Sequence, residues 1–161
     1  MESVKDYLDR LEINNNILNK QLKDVYVSKV VYFREDKIVY FHLTSKSIIS
    51  YDILDTLKEE LKLKLSYFKD IKIKISYTGL DIKENKDIIK MYWMNIVYIF
   101  KALCQSIAGW YKQIEYLCIE DNLKIKLPKG LFYDRLMKLN IAYVLKSRLN
   151  EELGIDLNIT M

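Results

Sequence analysis

The sequence predicts an α+β fold made of two consecutive ββαβ-type, two-layer units joined through a long central helix. Each half of the chain contains two β-rich runs separated by a short polar turn, which is the pattern of a hairpin. Between the halves, apolar residues recur at spacings of three and four over residues 88–107, as they do on one face of a helix. Each half also closes on a segment in which apolar and polar residues alternate, which is typical of a strand with one wet face.

The first half opens with a short helix predicted over residues 4–11 and an Asn-rich connection that follows it. A hairpin comes next, because the runs 25–33 and 38–43 are rich in β-branched and aromatic residues and flank the tetrapeptide REDK. Ser50 then precedes a helix over 51–67, and residues 71–75 form the closing strand. The predicted buried positions of that helix are Ile53, Leu54, Leu57, Leu61 and Leu65.

The second half opens with the long helix, for which Asn85 is a suitable N-cap and Asp87 a favourable first-turn acid. Gly109 breaks the helix, and a second hairpin is predicted over 114–127. One helix over 131–153 follows, which Gly154 ends, and the alternation over 155–159 predicts the last strand. The apolar positions of this last helix are Leu136, Leu139, Tyr143, Leu145 and Leu149.

A linker is predicted at Thr78-Gly79 and the polar run 81–86, which divides the chain into domains 1–78 and 79–161. The two halves share the order helix, hairpin, helix, strand. Tyr51-Asp52 and Tyr133-Asp134 also hold similar places near the start of the helix after each hairpin. Identity between the halves is low, so internal duplication, two domains of one architecture and a chance match of common patterns all remain open.

Composition bounds the class of protein. The chain has 161 residues, of which 50% are apolar and 30% charged, so it can bury a core. The net charge of +4 is compatible with nucleic acid or with an acidic partner. The cysteines Cys104 and Cys118 do not form a disulfide framework, and the N-terminus lacks the apolar segment of a signal peptide. We therefore expect a cytoplasmic protein, with no membrane helix.

Residue chemistry predicts no catalytic residue, no metal site and no cofactor. His42 is the only histidine and has no Cys or carboxylate at ligand spacing. The sequence contains no GxSxG, GxGxxG or GxxxxGK[ST] motif, and its four glycines cannot supply a phosphate-binding loop. The acid pairs Glu120-Asp121 and Glu151-Glu152 are interpreted as solvated side chains.

Alternating lysines mark two predicted strand faces, Lys72 with Lys74 and Lys124 with Lys126. Such a face can follow the phosphates of a single strand, but it can also simply keep an open sheet soluble. The segments IKIKI and LKIKL contain no aromatic residue for base stacking. The ββαβ order is KH-like, yet the chain lacks GxxG, the loop with which KH domains hold a nucleic-acid backbone.

Trp110 and Tyr111 follow the break after the long helix. They can pack into a core, or they can form an exposed aromatic site where a protein partner docks. Both interpretations stay open at this point.

As a whole, the chain resembles the N-terminal region of the PolC-type DNA polymerase III α subunit of Gram-positive bacteria. The residues that carry the resemblance are YFHL at 40–43, YDILDTL at 51–57 and Tyr92-Trp93 in the long helix, followed by the second hairpin, the last helix and the closing strand. These motifs are short and not catalytic, so the specificity of the match lies in their order and spacing.

The resemblance implies two small α/β domains, of which the first has been likened to the polymerase-binding C-terminal domain of the clamp-loader subunit tau and the second to KH-like folds. In the family they precede oligonucleotide-binding, PHP, 3'-5' exonuclease and polymerase domains. The family's metal-binding acids have no matching positions here. The resemblance therefore implies a non-catalytic region that docks to replisome partners, the clamp-loader tau subunit first among them. The alternative is a KH-like module that binds single-stranded DNA through the lysine faces.

Overall fold

The computed structural model describes residues 1–105 and 109–161, which form two compact units, Met1–Leu80 and Asp81–Met161. Both units are α+β, as predicted from the sequence.

The first unit contains a four-stranded sheet and three helices. Its elements in chain order are β1 (Glu2–Ser3), α1 (Val4–Arg10), α2 (Asn16–Gln21), β2 (Val25–Phe33), β3 (Ile38–Ser45), α3 (Tyr51–Lys64) and β4 (Asp70–Tyr77). The strands lie in the order β1-β2-β3-β4; β2 runs antiparallel to β3, and β3 runs parallel to β4. A bulge between Val27 and Lys29 shifts the register of β2.

One face of this sheet carries the core. Val39, Phe41 and Leu43 alternate along β3 as buried side chains, and Ile71 and Ile75 do the same on β4. Because side chains alternate between the two faces of a strand, the intervening residues of β3 and β4 point to the opposite, open face.

Helix α3 differs slightly from its prediction. The Ser50 side chain accepts a hydrogen bond from the Asp52 N–H at 3.2 Å and caps the start of the helix. The helix ends at Lys64 rather than at residue 67, because Leu65 leaves the helical region with φ −106° and ψ 50°. Of the five predicted buried positions, Leu54, Leu57 and Leu61 are buried, while Ile53 and Leu65 are half-buried.

The second unit contains a three-stranded sheet. Its elements are α4 (Asn85–Leu103), a 3₁₀ helix (Trp110–Gln113), β5 (Glu115–Ile119), β6 (Asn122–Lys126), α5 (Leu131–Lys138), α6 (Ile141–Leu153) and β7 (Asn158–Thr160). The strands lie in the order β5-β6-β7, with β5 antiparallel and β7 parallel to β6. Each unit therefore has the predicted ββαβ order, and in each unit the last strand runs parallel to the strand beside it.

The long helix α4 ends at Leu103 rather than at residue 107. It buries most of the predicted stripe, including Ile89, Tyr92, Ile96 and Phe100, while Trp93 and Leu103 are half-buried. Asn95 and Ile99 are also buried, although the three-four spacing did not include them. Ile107, predicted as the last member of the stripe, lies outside the described residues. The predicted Asn85 cap is wrong, since Glu84 occupies the N-cap position without a side-chain bond. The Asn85 side chain donates instead to the Asp121 carboxylate at 2.9 Å and to the Glu120 carbonyl at 3.3 Å.

The single helix predicted over 131–153 is wrong, because it is two helices separated at Asn140. This residue adopts the left-handed conformation, φ 51° and ψ 52°, which asparagine tolerates better than most residues. The break restarts the helical register, so that Ile141, Leu145 and Leu149 face the core at intervals of four. Leu139 and Tyr143, which were predicted on the apolar face, are exposed.

A buried polar pair connects α4 to α6. The Tyr92 hydroxyl, fully buried, donates to Oε2 of Glu152 at 2.6 Å, and Glu152 is itself only 6% exposed. Arg148 lies one turn earlier on α6, with Nη1 3.4 Å from the other carboxylate oxygen. Buried carboxylates require such partners, so this contact orients the two helices of the second unit.

Candidate interaction surfaces

The open face of the first sheet combines basic and aromatic side chains. We use the name basic face for Lys29 on β2, Tyr40 and His42 on β3, and Lys72 and Lys74 on β4. All three lysines are exposed, and Tyr40 and His42 are half-buried. The prediction that Lys72 and Lys74 share one wet strand face agrees with this geometry.

Strand register places these residues in two rows. Lys29 pairs with His42 and His42 pairs with Lys74, so one row crosses three strands. The adjacent row contains Tyr40 paired with Lys72. Neighbouring strands lie about 4.8 Å apart, so each row groups its side chains within reach of one extended ligand.

Tyr40 is the aromatic centre of the basic face. The Lys74 ammonium lies 5.3 Å from the Tyr40 ring centroid and the Lys72 ammonium 5.9 Å from it, both within cation–π range. Phe33, which is half exposed, packs its ring edge-on against Tyr40 at 5.5 Å. The aromatic residue that IKIKI lacks is thus supplied by the neighbouring strand.

His42 is held in its neutral form. Partial burial, together with the positive charges of Lys74 and Lys29, lowers the pKa of His42 below its usual value. The imidazole is therefore uncharged at neutral pH, and an anion bound beside it would raise its pKa again.

The charges of the basic face are not compensated locally. Among the described residues, no carboxylate lies within ion-pair distance of Lys29, Lys72 or Lys74. Asp70 lies at the start of β4, at intervals of two from Lys72 and Lys74, but its carboxylate is 3.4 Å from the Lys62 ammonium. The positive charges of the basic face are therefore available to an anionic ligand.

The lysine face of the second sheet is different. Lys124 and Lys126 are both exposed on β6, but the Lys126 ammonium lies 3.6 Å from the Glu115 carboxylate. Two further neighbours on the same face are apolar, since Leu117 of β5 pairs with Lys124 and Ile119 follows two residues later. Leu117 is 57% and Ile119 58% exposed. We call these two side chains on the edge strand β5 the apolar edge.

Trp110 and Tyr111 are partly packed. The Trp110 ring meets the buried Phe132 ring edge-on at 5.6 Å, and it remains 37% exposed. The Lys101 ammonium lies 3.7 Å from the centroid of the half-buried Tyr111 ring. Gly130, at φ +134°, brings its backbone against Trp110, where a Cβ would lie 3.5 Å from the indole. The docking role of both aromatic residues stays a prediction.

The side chains that could bind a metal or line a pocket give no metal-binding group in the described parts of the chain. No group of three His, Cys, Asp or Glu side chains that could hold a metal ion occurs in residues 1–105 and 109–161. A depression at one end of the first sheet has the charged lining residues Asp24 and Lys46, with no histidine or cysteine in its wall. Both cysteines are free thiols. No helix in the described ranges is long and apolar enough to cross a membrane.

Sequence reasoning missed the contribution of β3 to the basic face and the exposure of Leu117 and Ile119. Alternation along 38–43 does carry the signal for the first, because Val39, Phe41 and Leu43 occupy the core and leave Tyr40 and His42 on the other face. The parallel pairing that sets Tyr40 beside Lys72 joins segments some thirty residues apart, and no local pattern encodes that register.

Fold and surfaces together define a class of protein: a tandem pair of small ββαβ units that present open sheet faces. Family models identify it further. DNA polymerase III polC-type N-terminus I matches residues 3–75, and DNA polymerase III polC-type N-terminus II matches residues 91–161. The chain belongs to the N-terminal region of the PolC-type DNA polymerase III α subunit, a family of replicative polymerases.

No curated protein sequence matches the chain. Among solved structures, the periplasmic domain of the T3SS inner membrane protein PrgH from S. typhimurium (fragment 170–392) is 12% identical, with a TM-score of 0.32, covering 97% of this chain and 71% of that one. A shorter fragment of the same domain (170–362) is also 12% identical, with a TM-score of 0.31, covering 95% and 75%. At these TM-scores the likeness supports no inference.

Proposed function

We propose that this chain is a non-catalytic docking region of a PolC-type polymerase that binds the clamp-loader tau subunit through the apolar edge of its second unit. The observation that carries the proposal is the pair of exposed apolar side chains, Leu117 and Ile119, on an edge strand. The family supplies the partner, since the PolC resemblance implies docking to tau.

Strand geometry supports this surface. Within the described residues, β5 pairs only with β6, so it has no strand partner on its outer side. Proteins usually protect such edges with charge, because exposed apolar edge strands promote association. An edge that keeps two large apolar side chains suits a partner that adds a strand or covers the face.

Substituting the apolar edge should weaken tau binding. Burial of one leucine or isoleucine contributes about 1.5–3 kcal/mol, and about 1.4 kcal/mol corresponds to a tenfold change in affinity. The double variant Leu117→Lys/Ile119→Lys should therefore bind cognate tau at least tenfold more weakly than the wild-type chain, as measured by isothermal titration calorimetry.

The control is Leu63→Lys, which places a lysine at an exposed apolar position of α3 in the first unit, where Leu63 is 78% exposed. It should bind tau with unchanged affinity. Circular dichroism of each variant checks that folding is intact. Equal affinities of the double variant and the wild type would contradict the proposed surface, and absence of heat with wild-type chain at tens of micromolar would contradict the proposed partner.

A further inference from the structure

We propose that the basic face of the first unit binds single-stranded nucleic acid, with the lysines and His42 contacting backbone phosphates and Tyr40 stacking on a base. This inference is independent of tau docking. It rests on a different sheet, a different unit and a different chemistry from the apolar edge.

The charge arrangement favours a phosphate backbone. Lys29 projects from β2, and Lys72 and Lys74 project from β4, on either side of the central strand β3. None of the three has an ion-pair partner among the described residues. Unpaired lysine ammoniums can neutralise backbone phosphates, and the nucleic acid then releases the cations that were condensed along its backbone. Within the described ranges, the second lysine face has one unpaired ammonium, that of Lys124, because the Lys126 ammonium lies 3.6 Å from the Glu115 carboxylate.

The aromatic component favours nucleic acid over an acidic peptide. Single-strand binders combine a basic surface with aromatic rings on which bases stack. Tyr40 lies within 6 Å of two ammonium groups, and Phe33 extends the aromatic surface at its edge. A polyanionic peptide would use the lysines but would have no need of the two rings.

His42 completes the row and makes binding depend on pH. The charged or titratable groups that face it are Lys29 from β2, Lys74 from β4 and the Tyr40 ring on its own strand. In the free chain these lysines disfavour the imidazolium. A phosphate between them would reverse that effect, so binding takes up a proton and should strengthen as the pH falls from 7.5 to 5.5.

The test is fluorescence anisotropy of a dT15 oligonucleotide that carries a pH-insensitive rhodamine label. Thymine does not titrate between pH 5 and 8, so any pH dependence belongs to the protein. We compare Lys72→Gln/Lys74→Gln with Lys124→Gln/Lys126→Gln, which makes the same double change on the other sheet.

Each variant tests the contribution of one group of side chains to the binding of dT15. Affinity of the wild-type chain should fall with salt with a logarithmic slope of about −2, since each of three phosphate contacts adds about −0.7. Lys72→Gln/Lys74→Gln should reduce that slope to about −0.7, whereas Lys124→Gln/Lys126→Gln should leave it unchanged. Tyr40→Ala should lower the affinity about tenfold at an unchanged slope. His42→Gln should abolish the gain in affinity at pH 5.5.

Three outcomes would overturn the inference: no binding of dT15 in 50 mM salt, equal losses in the two double-lysine variants, or displacement of dT15 by polyglutamate as effectively as by unlabelled dT15. The last result would identify the face as a general anion site. The variant Lys72→Gln/Lys74→Gln should still bind tau, and the variant Leu117→Lys/Ile119→Lys should still bind dT15. Failure of this inference is therefore distinguishable from failure of the docking proposal.

Discussion

Replacing Phe100 by alanine should destabilise the second unit by about 4 kcal/mol, because large-to-small changes of buried aromatic residues cost about 3–5 kcal/mol. Phe100 is fully buried on the core side of α4. Truncation removes its apolar area and leaves a cavity that the surrounding helix and sheet cannot close completely. Urea unfolding monitored by tryptophan fluorescence measures the effect in this unit alone, since both tryptophans, Trp93 and Trp110, belong to it.

The control for this substitution is Met94→Ala on the same helix. Met94 is 62% exposed, and a surface change of this kind should alter the free energy of unfolding by less than about 0.5 kcal/mol. If Phe100→Ala and Met94→Ala lower stability by similar amounts, the assignment of the buried face of α4 is wrong.

Removing the hydroxyl of Tyr92 should cost about 2–3 kcal/mol, an effect out of proportion to a single oxygen atom. That hydroxyl donates to the buried Glu152 carboxylate at 2.6 Å. In Tyr92→Phe the ring still fills its space, but a buried oxygen loses a donor that water cannot replace. The same fluorescence-detected urea titration measures the change in free energy.

Tyr143→Phe provides the comparison, since Tyr143 lies exposed on α6, the helix that also carries Glu152. It removes an identical hydroxyl from a solvated position and should leave stability nearly unchanged. A Tyr92→Phe variant as stable as Tyr143→Phe would show that the hydrogen bond between α4 and α6 contributes nothing to folding.

Elements with strong local patterns could be predicted from the sequence. Both hairpins and the main buried positions of α4 follow from β-rich runs that flank polar turns and from three-four spacing. The break at Asn140 could not, because apolar residues continue through it and only the left-handed backbone of one asparagine interrupts the helix. Strand β1 was also missed, since its two residues owe their conformation to pairing with Val27 and Tyr26.

The candidate surfaces were predictable in part. Alternation indicated that Lys72 shares a face with Lys74, and Lys124 with Lys126. The difference between the two faces depends on pairing between strands: Tyr40 comes to Lys72 through the parallel register of β3 and β4, and Glu115 comes to Lys126 through the hairpin. Such register is decided by packing of the whole sheet.

The measurement that tests the docking account most directly is hydrogen–deuterium exchange of this chain with and without saturating cognate tau. If tau binds the apolar edge, amide exchange should slow in peptides that cover residues 115–127, where β5 and β6 lie. Exchange in peptides from residues 1–80 should not change. Protection confined to the first unit, or no protection in any peptide, would contradict the claim that the apolar edge receives the clamp loader.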